Sequence, residues 1–361
     1  MPKPSSSVCQ KSEFSRPSRR VRCDAATHAN SYPHACEVVH DRASHKRTIA
    51  ITQQQLRKRS GAHADRAQRA LGPSTVSRHG AQVGRVEGSS PLLLQEDFLR
   101  QLVALKPDLC VTAAYGNMLP QRFLDIPAFG TINIHPSLLP RWRGAAPVNR
   151  CLEAGDSETG VSLAFTVLAC DAGPVVSQRK VELSGEEQAP DLLLGLMVQG
   201  TELLVESLPR IWSGEAAATA AAQDAGAATH AAKMDKSEAV LDFAQTADEL
   251  HNKVRGFAGW PGTVAKLRVW EEGKGSANMD VKVLRSRVST DGEAKEMNAA
   301  PPQECAGLAE VCVTRDALLL PCADGGWLAA TEVQAPGRRA CAAGAFANGL
   351  SRKRLFVAPQ Q

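Results

Sequence analysis

Apolar residues recur at helical spacing at Phe98, Leu99, Leu102 and Leu105, and Pro107 closes that pattern. Leu109-Cys110-Val111-Thr112-Ala113-Ala114 follows as a short apolar run, the mark of a strand buried on both faces of a parallel sheet. A second helix over about Pro120 to Ile126 and a second strand over Gly130 to His135 complete a predicted βαβ unit. Beyond a Pro/Arg/Gly-rich loop from Pro136 to Pro147, the pattern predicts a helix to about Glu153 and alternating strands near Val161 to Leu168 and Val175 to Leu183. A long amphipathic helix follows from about Pro190 to Trp212. Ala216 to Thr229 is rich in alanine and glycine and reads as a connector. After it, a helix from Ala247 to Phe257 precedes short strands near Val264 to Trp270, Val281 to Val288, Leu308 to Val313 and Trp327 to Gln334, a spacing that predicts a small barrel.

Upstream of Pro91 the texture differs, and only Arg47 to Thr52 resembles a strand. The 361 residues carry a formal charge of +4, but residues 1–90 hold 16 Lys and Arg against 6 Asp and Glu, so the remainder is net acidic. The first 30 residues contain Lys3, Lys11, Arg16, Arg19, Arg20 and Arg22, several serines, and only Glu13 and Asp24 as acids. That is the composition of an organellar transit peptide, so a mitochondrial location is expected, with a plastid as the alternative. Pro2, Pro4 and Pro17 oppose an amphipathic helix there, and a disordered basic tail would instead leave the protein cytoplasmic. Apolar stretches such as Leu192 to Val198 are shorter than the roughly 18 residues of a bilayer span, so no membrane partner is expected. Ten scattered cysteines without Cys-x-x-Cys spacing fit a reducing compartment and imply no metal.

The chemistry concentrates in Gly130 to Pro147. On a strand, Asn133 and His135 point to one face while Ile132 and Ile134 point to the other. A histidine at a strand end is ordinarily a hydrogen-bonded structural residue. A polar pair at the carboxyl end of a parallel strand, running into a Gly/Pro-rich loop, sits where open α/β sheets build their sites. This segment resembles the signature of the 10-formyltetrahydrofolate-dependent formyltransferases, and Ser137-Leu138-Leu139-Pro140-Arg141-Trp142-Arg143-Gly144-Ala145-Ala146-Pro147 is similar to the branch of that family that formylates methionyl-tRNA. The likeness continues through Ala114 to Pro120, Ala154 to Val161 and the loop Cys170-Asp171-Ala172-Gly173-Pro174. It extends through Ala231-Ala232-Lys233, Leu241-Asp242-Phe243, Val254 to Phe257 with Trp260-Pro261-Gly262, and Gln334 to Arg339 with Leu350, covering roughly residues 91–361. The sequence departs from the family pattern at Val167, where an aspartate is frequent, and in residues 1–90, where no opening strand with a Gly-x-Pro turn is evident.

The resemblance implies a Rossmann-like α/β catalytic domain with a mostly parallel sheet, followed by a small OB-like β-barrel. It divides the chain into an atypical basic region at 1–90 (a transit peptide with a diverged start of the catalytic domain), a catalytic domain at 91–215, a linker at 216–229 and a tRNA-binding barrel at 230–361. It places Asn133, His135 and Asp171 in catalytic positions and Ser137, Leu138, Leu139 and Pro140 against the folate. The implied reaction moves a formyl group from the co-substrate 10-formyltetrahydrofolate to the α-amino group of initiator methionyl-tRNA, with no metal and no protein partner. An Asn amide and an imidazolium suit the oxyanion that forms at the formyl carbon, and a histidine beside a carboxylate suits the proton transfers. Apolar side chains with exposed backbone suit a flat pterin. Arg141 and Arg143 could face the folate tail or tRNA phosphates, and Lys266, Arg268, Arg338 and Arg339 stand out in a barrel whose last 29 residues hold no acid. The alternatives are an inactive RNA-binding remnant, or a related folate-dependent formyltransferase or hydrolase acting on a small molecule.

Overall fold

The computed structural model describes residues 33–41, 46–53, 82–89, 96–289, 301–350 and 353–359. The basic leader read over the first 30 residues, and Arg352, lie outside the described residues. In chain order the first half comprises β1 (Pro33–Asp41), β2 (Lys46–Gln53), β3 (Gln82–Ser89), α1 (Glu96–Leu105), β4 (Leu109–Ala113), α2 (Gln121–Leu124), β5 (Thr131–His135), β6 (Arg143–Gly144), α3 (Pro147–Glu153), β7 (Glu158–Phe165), β8 (Val175–Glu182) and α4 (Ala189–Trp212). The second half comprises α5 (Glu215–Thr219), β9 (His230–Ala231), α6 (Ala247–Gly256), β10 (Thr263–Glu271), β11 (Gly275–Ser289), β12 (Cys312–Val313), β13 (Leu318–Pro321), β14 (Trp327–Gln334), β15 (Cys341–Ala342), α7 (Ala343–Asn348) and β16 (Lys353–Val357).

The first domain is Rossmann-like, with a seven-stranded sheet in the order β3-β1-β2-β4-β5-β7-β8. The parallel pairing expected from the βαβ unit forms its centre, β2-β4-β5. The flanking pairings are antiparallel. The central strands read as apolar because helices cover both faces. Leu109, Val111, Ile132 and Ile134 pack with Met197, Leu203, Leu204 and Ile211 of α4. Ile49, Ile51 and Cys110 pack on the other face with Phe98, Leu99 and Leu102 of α1 and Phe123 of α2. Gly200 lets α4 approach the sheet, since a Cβ there would overlap Ile134 and Val161.

Strand β2 forms where Arg47 to Thr52 read as strand-like, and it corrects the expectation that the catalytic domain lacks its opening strand. Lys46–Gln53 pairs with β4 along Thr48 to Thr52 and covers the edge that would otherwise stand open. Its apolar signal is only Ile49, Ala50 and Ile51, enough to mark a strand but too short to mark its place at the centre of the sheet. Helix α4 is long and apolar enough to cross a bilayer by composition. Its apolar stripe is nonetheless packed on the sheet, and its other face carries Glu202 and Glu206, which pair with Arg179 of β8.

The second domain is a nearly closed barrel in the order β12-β13-β14-β11-β10-β16, with β15 beside β14. An antiparallel bridge between Glu310 and Phe356 draws its two edges together. Alternation supplies the core: Ala265 and Leu267 of β10, Val281 and Val283 of β11, and Leu328, Ala330 and Val333 of β14 point inward. Leu250 and Val254 of α6 complete this core. That helix opens with a capping box between Thr246 and Glu249. Of the strand expected over Leu308 to Val313, only Cys312–Val313 forms, and β13 and β16 are strands the pattern did not announce.

The two domains meet where α3 crosses α6. A Cβ on Gly256 would lie 2.7 Å from the Asn149 carbonyl oxygen, and Asn149 Nδ2 donates to the Gly256 carbonyl at 2.7 Å. Arg150 reaches across to Glu238, and His251 Nε2 lies 3.1 Å from the Gly185 carbonyl.

Candidate active site

Strand β5 separates two chemistries by its pleat. Ile132 and Ile134 face α4, so Asn133 and His135 emerge on the opposite face. Thr112 on the neighbouring β4 donates its hydroxyl to Asn133 Oδ1 at 2.9 Å, and Asn133 Nδ2 donates to Asp171 Oδ1 at 3.1 Å. A carboxylate only accepts, so this contact fixes which way the amide faces and leaves it a second N–H. His135 is buried, with its side chain 5% exposed. Its Nε2 lies 2.9 Å from the Trp142 carbonyl oxygen, which also only accepts, so Nε2 carries a proton. Nδ1 lies 3.7 Å from Asp171 Oδ1, an ion-pair distance beyond hydrogen-bond length.

Asp171 arrives from the loop after β7 with a left-handed backbone, φ +49°, a conformation that Asp tolerates better than most side chains. The Gly144 N–H donates to its Oδ2 at 2.9 Å. Gly144 itself has φ +124°, and a Cβ there would lie 2.6 Å from the Ala231 carbonyl oxygen, so glycine is required where β9 crosses β6. Burial, with the adjacent Asp171 carboxylate, pushes the Cys170 thiol up to about 11. It stays protonated near neutrality and is no nucleophile.

The proposed folate loop follows His135 directly. Ser137 and Leu139 are fully buried, while Leu138 and Pro140 are half-buried. The buried Ser162 hydroxyl donates to the Ser137 carbonyl at 2.6 Å and accepts from Leu139 N–H at 3.0 Å. Gln178 Nε2 donates to the Leu139 carbonyl at 2.8 Å, and Ser137 Oγ donates to the Arg141 carbonyl at 2.7 Å. The expectation that this backbone is open for pterin hydrogen bonds is therefore corrected. Internal partners already occupy most of it, so the loop offers apolar side chains on a rigid support.

The basic residues divide. Arg141 pairs with Asp156, whose hydrogen bond raises the guanidinium's affinity for its proton, and it stacks 4.9 Å over the Trp142 ring. Arg143 donates from Nε to Gln223 Oε1 at 2.9 Å beside the site. Lys266 and Arg268 lie on the barrel, on the outward-facing alternation of β10, and Arg268 Nε donates to Asn278 Oδ1 at 3.3 Å. Arg338 and Arg339 are exposed in the turn after β14. The strand register sets Val264, Lys282 and Gln334 side by side, which brings that turn and the Lys266 strand to one stretch of the barrel wall.

Sequence reasoning missed three contributors. Thr112 sat inside an apolar run. Gln223 and Thr229 sat in the presumed connector, where Gln223 Nε2 donates to the carbonyls of Asp171 and Gly173 and Thr229 Oγ1 accepts from Trp142 N–H. The available signal was a lone long amide side chain in an alanine- and glycine-rich stretch. Among the described residues, no group of three or more His, Cys, Asp or Glu side chains is placed to hold a metal ion.

Comparison with known proteins follows the same two-part plan. A family described as formyl transferase matches residues 36–208, and the C-terminal domain of formyl transferases matches residues 233–351. The first match begins inside the basic region, ahead of β2. The chain is 35% identical over 281 residues to methionyl-tRNA formyltransferase of Aromatoleum aromaticum, spanning 78% of this chain and 81% of that one. It is 36% identical over 296 residues to methionyl-tRNA formyltransferase of Methylococcus capsulatus, spanning 80% and 86%. Among solved structures, a variant of HypX from Aquifex aeolicus superposes with a TM-score of 0.53 at 18% identity, covering 79% of this chain and 47% of that one, a likeness of fold.

Proposed function

The chain belongs to the formyl transferase family, and on that premise we propose that it transfers the formyl group of 10-formyltetrahydrofolate to the α-amino group of methionyl-tRNA. The observation that carries the reading is the cluster at the end of β5, where one Asp171 oxygen lies 3.1 Å from Asn133 Nδ2 and 3.7 Å from His135 Nδ1. The folate, when bound, supplies an activated formyl carbon. The half-buried Leu138 and Pro140, a few residues after His135 on an internally bonded loop, suit packing against the face of its pterin ring.

With Nε2 committed to the Trp142 carbonyl, Nδ1 is the nitrogen of His135 that exchanges protons. It takes one from the attacking amine and returns one to the departing nitrogen, and Asp171 stands beside the imidazolium that forms in between. The second N–H of Asn133 is held in place by Thr112 and Asp171, ready to donate to the oxygen that becomes negative as the amine adds. Preorganisation of this kind lowers the barrier because the donors do not have to reorient as charge develops.

The test is formyl transfer by the purified chain, with His135→Ala in parallel and the aminoacyl-tRNA product resolved on an acid gel. Transfer that depends on His135 is the expected result. Formylation of small amines in preference to methionyl-tRNA would replace the substrate assignment, and a folded chain without any transfer would sink the reading.

A further inference from the structure

The segment joining the two domains does more than connect them. After α5 it pairs with β8 through a bridge between Ala221 and Val175. It then lays Gln223 against the catalytic loop and finally pairs β9 in parallel with β6. The carboxamide of Gln223 is fully used. Its two N–H groups donate to the Asp171 carbonyl at 2.8 Å and the Gly173 carbonyl at 2.7 Å, and its oxygen accepts from Arg143 Nε at 2.9 Å. At the other end, Ala231 accepts from Ala145 N–H at 2.9 Å and lies against Gly144, whose own N–H holds the Asp171 carboxylate.

We infer that Gln223 is a positioning residue for Asp171, and that residues 221–231 form a brace that holds the left-handed turn at Asp171 from both its backbone and its carboxylate. The inference rests on the catalytic role proposed for Asp171. Three features carry it. The loop from Thr166 to Pro174 leaves the sheet between β7 and β8 and must fold back to reach β5. Asp171 has positive φ without being glycine. Among the described residues, Gln223 alone joins the carbonyls of Asp171 and Gly173 to the β6 segment that carries Arg143. Because the brace is also the tether of the barrel, the covalent chain and these three hydrogen bonds join the second domain to the turn at Asp171.

The experiment compares the full chain with Gln223→Ala and Gln223→Glu, reading transfer kinetics together with hydrogen exchange of the peptides covering residues 142–146 and 169–174. The expected result is a fall in kcat of tenfold or more in both variants, with KM for methionyl-tRNA and for folate within about twofold and the melting temperature unchanged. Glu should be no better than Ala: it keeps an acceptor for Arg143 but sets a carboxylate against two carbonyl oxygens. Exchange in both peptides should rise. Unchanged kcat, a loss confined to KM, or recovery in the Glu variant would overturn the inference. If the wild-type chain transfers no formyl group to methionyl-tRNA, the functional reading fails by itself. The exchange data then decide the brace alone, with faster exchange supporting it and unchanged exchange removing it.

Discussion

The face of β5 proposed to be catalytic and the outer wall of the barrel hold their polar groups in opposite ways. At β5 the polar side chains are set by specific partners: Thr112 holds Asn133, Asn133 and Gly144 hold Asp171, and Trp142 holds His135. On the barrel wall, Lys266, Lys282, Arg338 and Arg339 carry charge without an ion pair among the described residues, whereas neighbouring cations such as Arg285 and Arg354 are paired with Glu332 and Glu310. The first arrangement can act only through distance and angle, and the second only through summed charge. A site of the first kind fails when one atom is removed, whereas a surface of the second kind fades in proportion to what is taken away.

The hardest test of that contrast is on β5. His135→Ala removes the proposed proton carrier, and a loss in kcat of about 10² to 10⁴ is expected from the usual worth of general acid–base catalysis. Asn133→Ala removes one donor to the oxyanion and also frees Asp171, with an expected loss of about 10² to 10³. Both are read from single-turnover transfer at saturating folate. If either variant lost less than tenfold, the site would be tolerant in the manner of the barrel wall, and the contrast would break.

The junction between the two regions sharpens the comparison. Gly256→Ala places a methyl group 2.7 Å from the Asn149 carbonyl and 3.0 Å from the Glu153 nitrogen, both backbone atoms that cannot swing aside. Overpacking of this kind costs about 1 to 3 kcal/mol. Calorimetry should show the melting temperature falling, with transfer at low temperature reduced far less than in the β5 variants. A variant as stable as the parent would mean that α3 and α6 do not cross this closely.

Much of this architecture was legible in the sequence, and the exceptions have physical causes. The strand β4 and the helices α4 and α6 announced themselves because burial on two faces demands an unbroken apolar run, and burial on one face demands a stripe at helical spacing. Asn133 and His135 were legible because the alternation of β5 separates them from Ile132 and Ile134. The pairing of β2 with β4 was not, because a main-chain hydrogen-bond ladder leaves no mark on side-chain pattern beyond Ile49 and Ile51. Gln223 was hidden for a related reason: its three partners are two main-chain carbonyls and an Arg143 nitrogen 80 residues away in sequence. The folate loop misled in the opposite sense. Leu138, Leu139 and Pro140 suggested open backbone, but Ser162 and Gln178, distant in sequence, occupy it.

Acidification probes the junction from the electrostatic side. Burial holds the imidazole of His251 below its ordinary range, with the nearby Arg255 acting in the same direction and the Gly185 carbonyl, Glu186 and Asp248 opposing. The unfolded chain therefore binds this proton more readily than the folded one. The stability that depends on a neutral His251 is complete above about pH 6.5 and is lost as pH falls through the folded-state value. The melting temperature should drop between pH 7 and 5, and His251→Gln should flatten that slope. An identical slope in the variant would assign the acid sensitivity to carboxylates elsewhere.

The smallest expected effects are on the barrel wall, and there smallness is the prediction. Lys266→Ala, Lys282→Ala and Arg338→Ala should each leave kcat unchanged. Each should weaken binding of tRNA evenly across sequences and lower the slope of log affinity against log salt by about one. The triple variant should add these losses, because separated charges facing a polyanion contribute through counterion release and not through a shared geometry. Titration by filter binding at several salt concentrations distinguishes the outcomes. A single substitution that removed binding outright would show one cation acting as an anchor with fixed geometry. The barrel wall would then resemble the β5 face, and its cations would have to be understood through their individual partners.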